Sequence, residues 1–271
     1  MSALAGLFAH TRAEGRAALI GYLPAGFPDQ ETAIAAVRAM VEGGVDAVEV
    51  GLPYSDPVMD GPVIQAAAER SLAGGTTTAD VFATVRALAE TGAPALVMTY
   101  WNPVERYGVQ RFAADFAAAG GSGVITPDLL VDEAADWLAA TTAAGVDPVF
   151  VVAPSSTDTR LRRVTASCGG FVYAASTMGV TGARTEVGVN AEELVSRVRA
   201  AGDLPVCVGL GVSTGGQAAE VAAFADGVIV GSAFVRLLLD AADPAAGVAA
   251  VRGLAQELAA GVRRAAKGVE A

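Results

Sequence analysis

Eight short apolar runs recur along the chain, at residues 17–23, 47–52, 95–100, 123–126, 149–153, 171–174, 206–209 and 227–230. Most lack polar alternation, as strands do when a parallel sheet is covered on both faces. Between them lie Ala-rich stretches of helical length, at 30–42, 79–90, 109–119, 132–144, 157–166, 191–201, 214–224 and 232–241. Asp29, Thr78 and Ser213 sit where N-caps belong. Gly43, Gly92, Gly120, Gly145 and Gly202 sit where left-handed C-caps belong. Eight strand–helix units with no break in composition predict one α/β domain over residues 1–271, a closed (β/α)8 TIM barrel. A doubly wound open sheet is the alternative. Residues 4–14 predict an extra N-terminal helix, and Pro244 separates the eighth helix from a closing one at 245–265.

Barrel enzymes place their sites on the loops that follow the strands. Two such loops read as long. One runs from Pro53 past Gly61 into a helix near Gln65, the other from Ser176 to about Val189. Long connections in compact domains are usually lids or binding loops.

Composition narrows the chemistry. Of 271 residues, 53% are hydrophobic and 17% charged, enough for a large core and too apolar for disorder. The net charge of −11 opposes a nucleic-acid partner. No apolar stretch reaches 18 residues without a charge, so no membrane span is expected. The first residues carry no basic leader, which reads as cytoplasmic. His10 is the one histidine and Lys267 the one lysine, both near chain ends. A Ser-His-Asp triad, a Schiff-base lysine and a P-loop are therefore starved of residues. Cys168 and Cys207 alone do not build a zinc site, and Cys207 in its apolar run reads as a buried free thiol. Proton chemistry falls to carboxylates, tyrosines or a borrowed cofactor.

Three constellations could carry it. In Val48-Glu49-Val50 the valines point one way along a strand and Glu49 the other, into the barrel near its C-terminal end. A buried carboxyl raises its pKa, as a general acid/base at neutral pH requires. A structural glutamate bonded to its neighbours is the competing interpretation. The stiff loop Pro53-Tyr54-Ser55-Asp56-Pro57-Val58-Met59-Asp60-Gly61-Pro62 follows directly and brings two acids, Asp56 and Asp60, each of which could also be a solvated turn residue. Glycines punctuate the last loops: Gly179-Val180-Thr181-Gly182, Gly209-Leu210-Gly211 and Gly231-Ser232-Ala233. Backbone N–H groups after strands seven and eight and a helix N-terminus bind phosphate in many barrels. Ordinary strand-end turns would look the same.

Taken together, the proline-acid loop, the glutamate eleven residues before Asp60, Gly179-Val180-Thr181-Gly182 and Gly231-Ser232-Ala233 resemble the tryptophan synthase α subunit family. Gly21-Tyr22-Leu23-Pro24-Ala25-Gly26 and Tyr100-Trp101-Asn102-Pro103 fit as well, and the resemblance covers roughly residues 3–265. It implies retro-aldol cleavage of indole-3-glycerol phosphate to indole and glyceraldehyde 3-phosphate, late in tryptophan biosynthesis, with no metal and no cofactor in this chain. By position it implies Glu49 as general acid/base, Asp60 as acceptor for the indole N–H, and Tyr173 as an active-site tyrosine. Tyr22, Met98, Tyr100 and Ile125 would line the indole pocket. Thr181, Gly182, Gly211, Gly231 and Ser232 would bind the substrate, the glycines and Ser232 at its phosphate. The implied partner is a β subunit carrying pyridoxal phosphate, in an αββα heterotetramer. Two positions depart from the family pattern: Leu210 stands where an aromatic is common, and Ser176-Thr177-Met178 lacks an arginine that some members carry. The rival interpretations are a stand-alone lyase releasing indole, another phosphate-binding barrel such as a sugar-phosphate isomerase, and a catalytically dead subunit.

Overall fold

The computed structural model describes residues 1–175, 184–209 and 211–265, the side chains of 184–189 excepted. Eight parallel strands close a barrel in sequence order: β1 (Ala18–Pro24), β2 (Ala47–Gly51), β3 (Ala95–Met98), β4 (Gly121–Thr126), β5 (Asp147–Val152), β6 (Val172–Ala175), β7 (Val206–Gly209) and β8 (Gly227–Val230). The last strand returns to the first, with Ile20 in register with Ile229. The closed barrel is thus the architecture, and the open sheet is excluded.

The helices are α1 (Ala3–Ala13), α2 (Gln30–Glu42), α3 (Pro62–Ala73), α4 (Thr78–Ala89), α5 (Trp101–Tyr107), α6 (Val109–Ala118), α7 (Ala135–Ala144), α8 (Asp158–Ser167), α9 (Arg184–Arg199), α10 (Gly215–Ala222), α11 (Ser232–Leu239) and α12 (Pro244–Arg264). The N-terminal and closing helices are where the pattern placed them. Three elements differ from it. The stretch 132–144 divides into a 3-10 turn, Val131–Glu133, and α7. Helix α9 starts at Arg184, well before residue 191, because Thr185, Val187, Gly188 and Val189 are weak helix formers that blur the signal. Of the loop expected from Ser176 to about Val189, residues 184–189 thus belong to α9, and 176–183 lie outside the described residues. Helix α5 was hidden by its seven-residue length and by Pro103, which a first turn tolerates.

Caps shift by a residue as well. Asp29 accepts from Thr32 N–H as expected, but Thr77 and Thr214 rather than Thr78 and Ser213 cap α4 and α10. Gly92, Gly120 and Gly145 take positive φ, whereas Gly43 does not and its neighbour Gly44 does (φ 102°). Gly202 is not among the positive-φ glycines.

Strand alternation splits the core in two. Val48, Val50, Val97, Val124 and Val208 face outward into the helix layer. Ala18, Ile20, Ala47, Leu96, Ile125, Val149, Cys207 and Ile229 fill the lumen. Helix α1 closes the N-terminal end with Leu4 and Phe8, the latter edge-on to Phe171 at 5.8 Å. Each such buried side chain is worth about 1.5–3 kcal/mol relative to exposure. The lumen is therefore packed solid below, and open chemistry is confined to the C-terminal end. Among the described residues no helix is long and apolar enough to cross a membrane.

Candidate active site at the C-terminal end of the barrel

Strand register brings the predicted residues together. Tyr22 pairs with Glu49, Gly51 with Met98, and Met98 with Ile125. Met98 and Tyr173 pack on the lumen cluster that contains Ile125. Tyr22 and Tyr173 both respond to Glu49: burial first, then nearby negative charge, holds both phenols well above their usual range. The two phenols thus stay neutral at neutral pH.

Three glycines make room for these rings. A Cβ on Gly51 would collide with the Tyr22 hydroxyl, and one on Gly209 would lie 2.6 Å from the Tyr173 hydroxyl. A Cβ on Gly231 would come within 3.3 Å of the Tyr22 ring. Cross-strand neighbours at strand ends are therefore glycine where an aromatic lies over them.

Glu49 points into the lumen as alternation required. It is fully buried, and neither carboxylate oxygen has a hydrogen-bond partner among the described residues. Desolvation pushes its pKa up to about 8. No bond to a neighbour among the described residues supports the interpretation of a structural glutamate, and a buried polar atom left unpaired is costly.

Asp60 stands on the loop after β2, partly buried. The Tyr100 hydroxyl donates to its Oδ1 at 3.0 Å and accepts from the Met59 N–H at 3.1 Å. Gln65 Nε2 donates to the Asp60 carbonyl at 2.7 Å. Burial raises the Asp60 pKa and the Tyr100 bond lowers it. Asp56, by contrast, is exposed and accepts from Ser55 Oγ at 2.6 Å, the solvated turn residue that one interpretation anticipated.

Tyr100 does not lie in β3. It is the N-cap residue of α5, where its ring contacts Tyr54 at 5.3 Å between centroids. Asn102 Nδ2 donates to the Tyr54 hydroxyl at 3.1 Å. The Trp101 N–H donates to both oxygens of Asp128, at 2.9 and 3.1 Å. Asp128 escaped the sequence reading, since an Asp after Pro127 reads as a plain turn.

Of the residues expected at a phosphate, Gly211, Gly231 and Ser232 lie among the described residues. Gly211 has φ +66° after β7. Helix α11 opens at Ser232 behind the N-cap Gly231, which supplies no side-chain cap. Its first N–H groups are thus the kind a ligand can satisfy. Thr181, Gly182 and Leu210 lie outside the described residues. Among the described residues no cluster of three or more His, Cys, Asp or Glu could hold a metal.

The chain matches the model of the tryptophan synthase alpha chain family over residues 8–263. It is 61% identical to the tryptophan synthase alpha chain of Thermobifida fusca, over 98% of this chain and 100% of that one. It is 63% identical to that of Streptomyces avermitilis, over 96% and 94%. Among solved structures it resembles a tryptophan synthase chain of Mycobacterium tuberculosis, with TM-score 0.90, 55% identity and coverage of 97% and 98%. Subunit alpha of Legionella pneumophila superposes with TM-score 0.89 at 30% identity, covering 97% and 99%. On sequence and fold alike, the chain belongs to the tryptophan synthase alpha chain family, the carbon–carbon lyases that cleave indole-3-glycerol phosphate.

Proposed function

We propose that Glu49 and Asp60 perform the retro-aldol cleavage of indole-3-glycerol phosphate, with indole held in the lumen between Tyr22, Met98, Tyr100, Ile125 and Tyr173. The observation that carries this reading is the Glu49 carboxyl, fully buried and unpaired among the described residues. Its raised pKa keeps the proton on near neutral pH, so it enters the reaction as an acid.

Glu49 gives its proton to the indole ring carbon that bears the glycerol chain. The ring becomes a cation with its charge on the N–H side. Asp60 accepts the N–H hydrogen bond there and stabilises that charge in a water-poor site. The Glu49 carboxylate then takes the proton of the neighbouring chain hydroxyl. The carbon–carbon bond breaks, its electron pair restores the aromatic ring, and the oxygen becomes the aldehyde. Glu49 ends protonated, as it began, so proton and charge balance without a metal or a redox partner. Tyr173 supplies a neutral hydroxyl beside Glu49.

Gly211, Gly231 and Ser232 hold the phosphate through N–H groups, the α11 terminus and the serine hydroxyl. The uncapped start of α11 supports this assignment. Thr181 and Gly182, outside the described residues, bind the substrate in this reading. The partner is a β subunit with pyridoxal phosphate, in the αββα arrangement, which takes the indole onward. The test is spectrophotometric: indole release from indole-3-glycerol phosphate by the purified chain, with and without a β subunit. The expected result is cleavage that the β subunit accelerates. No indole under either condition would refute it.

A further inference from the structure

Asp60 sits on a loop, and something must aim it. The contacts run through three consecutive loops. After β4, the Asp128 carboxylate accepts the Trp101 N–H with both oxygens. That bond fixes the first turn of α5, whose N-cap residue is Tyr100. The Tyr100 hydroxyl spans to the loop after β2, where it accepts from the Met59 N–H and donates to Asp60 Oδ1. With the amide donated to it, the phenolic proton is directed at the carboxylate. Tyr54 leans on the Tyr100 ring and is itself held by Asn102, the second residue of α5.

We propose that Asp128 is a positioning residue for the cleavage, acting through the start of α5 and the Tyr100 hydroxyl to hold Asp60. This rests on the reading of Asp60 as the group that meets the indole N–H. Asp128 itself is exposed and touches no reacting atom. An uncapped first turn would let Tyr100 swing, and Asp60 would lose both its aim and the side-chain hydrogen bond that its carboxylate accepts from Tyr100. The titratable groups that face Asp60 are Tyr100 and Tyr22. Losing the Tyr100 bond leaves burial unopposed, so the Asp60 carboxylate becomes harder to ionise.

The experiment compares Asp128→Ala, Asp128→Asn and Tyr100→Phe, assayed in the full chain with indole-3-glycerol phosphate across pH. Cap losses of this kind change an equilibrium about fivefold, so Asp128→Ala should lower kcat about five- to tenfold with KM changed less. The acid limb of its kcat/KM profile should move to higher pH. Asn keeps an acceptor oxygen for the Trp101 N–H, so Asp128→Asn should restore most of the rate and the limb. Tyr100→Phe should show the same limb shift, and adding Asp128→Ala to it should shift the limb no further. An unmoved acid limb in Asp128→Ala, or equal loss in Asp128→Asn, would overturn the positioning role. Asp60→Asn run in parallel separates the two claims. If it is inactive while Asp128→Ala matches wild type, only the positioning role falls. If it is fully active, Asp60 is not the group and both fall.

Discussion

Tyr22 on β1 and Glu49 on β2 occupy paired register positions, and the Tyr22 hydroxyl lies over Gly51, two residues beyond Glu49 on the same strand. The phenol thus roofs the carboxyl instead of bonding to it: both Glu49 oxygens remain without a partner among the described residues. The lumen below is filled by Ile20, Ala47 and Leu96, so water does not reach Glu49 from that side. A carboxyl that is dry and unpaired holds its proton to about pH 8.

That proton makes stability depend on pH. The folded-state pKa of Glu49 is raised from 4.5 to about 8. The unfolded chain releases the proton near 4.5, while the folded chain keeps it. The ionisation-linked cost of Glu49 is therefore absent below about pH 4.5 and grows as pH rises toward 8, by about 1.4 kcal/mol per unit. Glu49→Gln should gain on wild type in denaturation midpoint over this window. Chemical denaturation of both proteins at pH 5 and pH 8 checks it, and a difference that does not grow with pH would contradict the raised pKa.

Gly209→Ala should impair turnover more than folding. Its Cβ would meet the Tyr173 hydroxyl at 2.6 Å, so the ring must turn from its place beside Glu49. Off-rotamer and overpacking costs are about 1–3 kcal/mol, while a displaced group in the site can cost a hundredfold in rate. Adding Tyr173→Phe removes the clashing oxygen and should recover part of the stability. Turnover of the single variant at the wild-type level would mean Tyr173 is not held there for function.

Ser232→Asp should raise KM far more than it lowers kcat. The carboxylate would occupy the start of α11 and repel a dianionic phosphate. Calorimetric titration with glycerol phosphate checks this directly. Wild-type affinity in the variant would place the phosphate elsewhere.

Much of this was legible in the sequence because barrel periodicity is strong. Short apolar runs marked all eight strands, and the Val48-Glu49-Val50 alternation told which way Glu49 points. What was missed is physical rather than accidental. Helix α5 is too short to show a period and begins in Tyr-Trp-Asn-Pro, so Tyr100 read as the end of a strand rather than a helix cap. Asp128 matters only through a contact with Trp101, 27 residues away. Local pattern carries no trace of such a bond. Asp56 and Asp60 look alike in sequence, and only tertiary burial separates the solvated acid from the one bonded to Tyr100.

The most direct test of the account is indole formation by Glu49→Gln, with the fold verified by circular dichroism and denaturation. Gln fills the same buried space, but can neither give the ring carbon a proton nor take one from the hydroxyl. General acid–base catalysis is worth about 10²–10⁴-fold, and Glu49 serves both steps, so turnover should fall by at least that range. The wild type assayed alongside should lose rate above about pH 8 as Glu49 loses its proton. A folded Glu49→Gln protein retaining a third of wild-type turnover would contradict the claim that this carboxyl moves the protons.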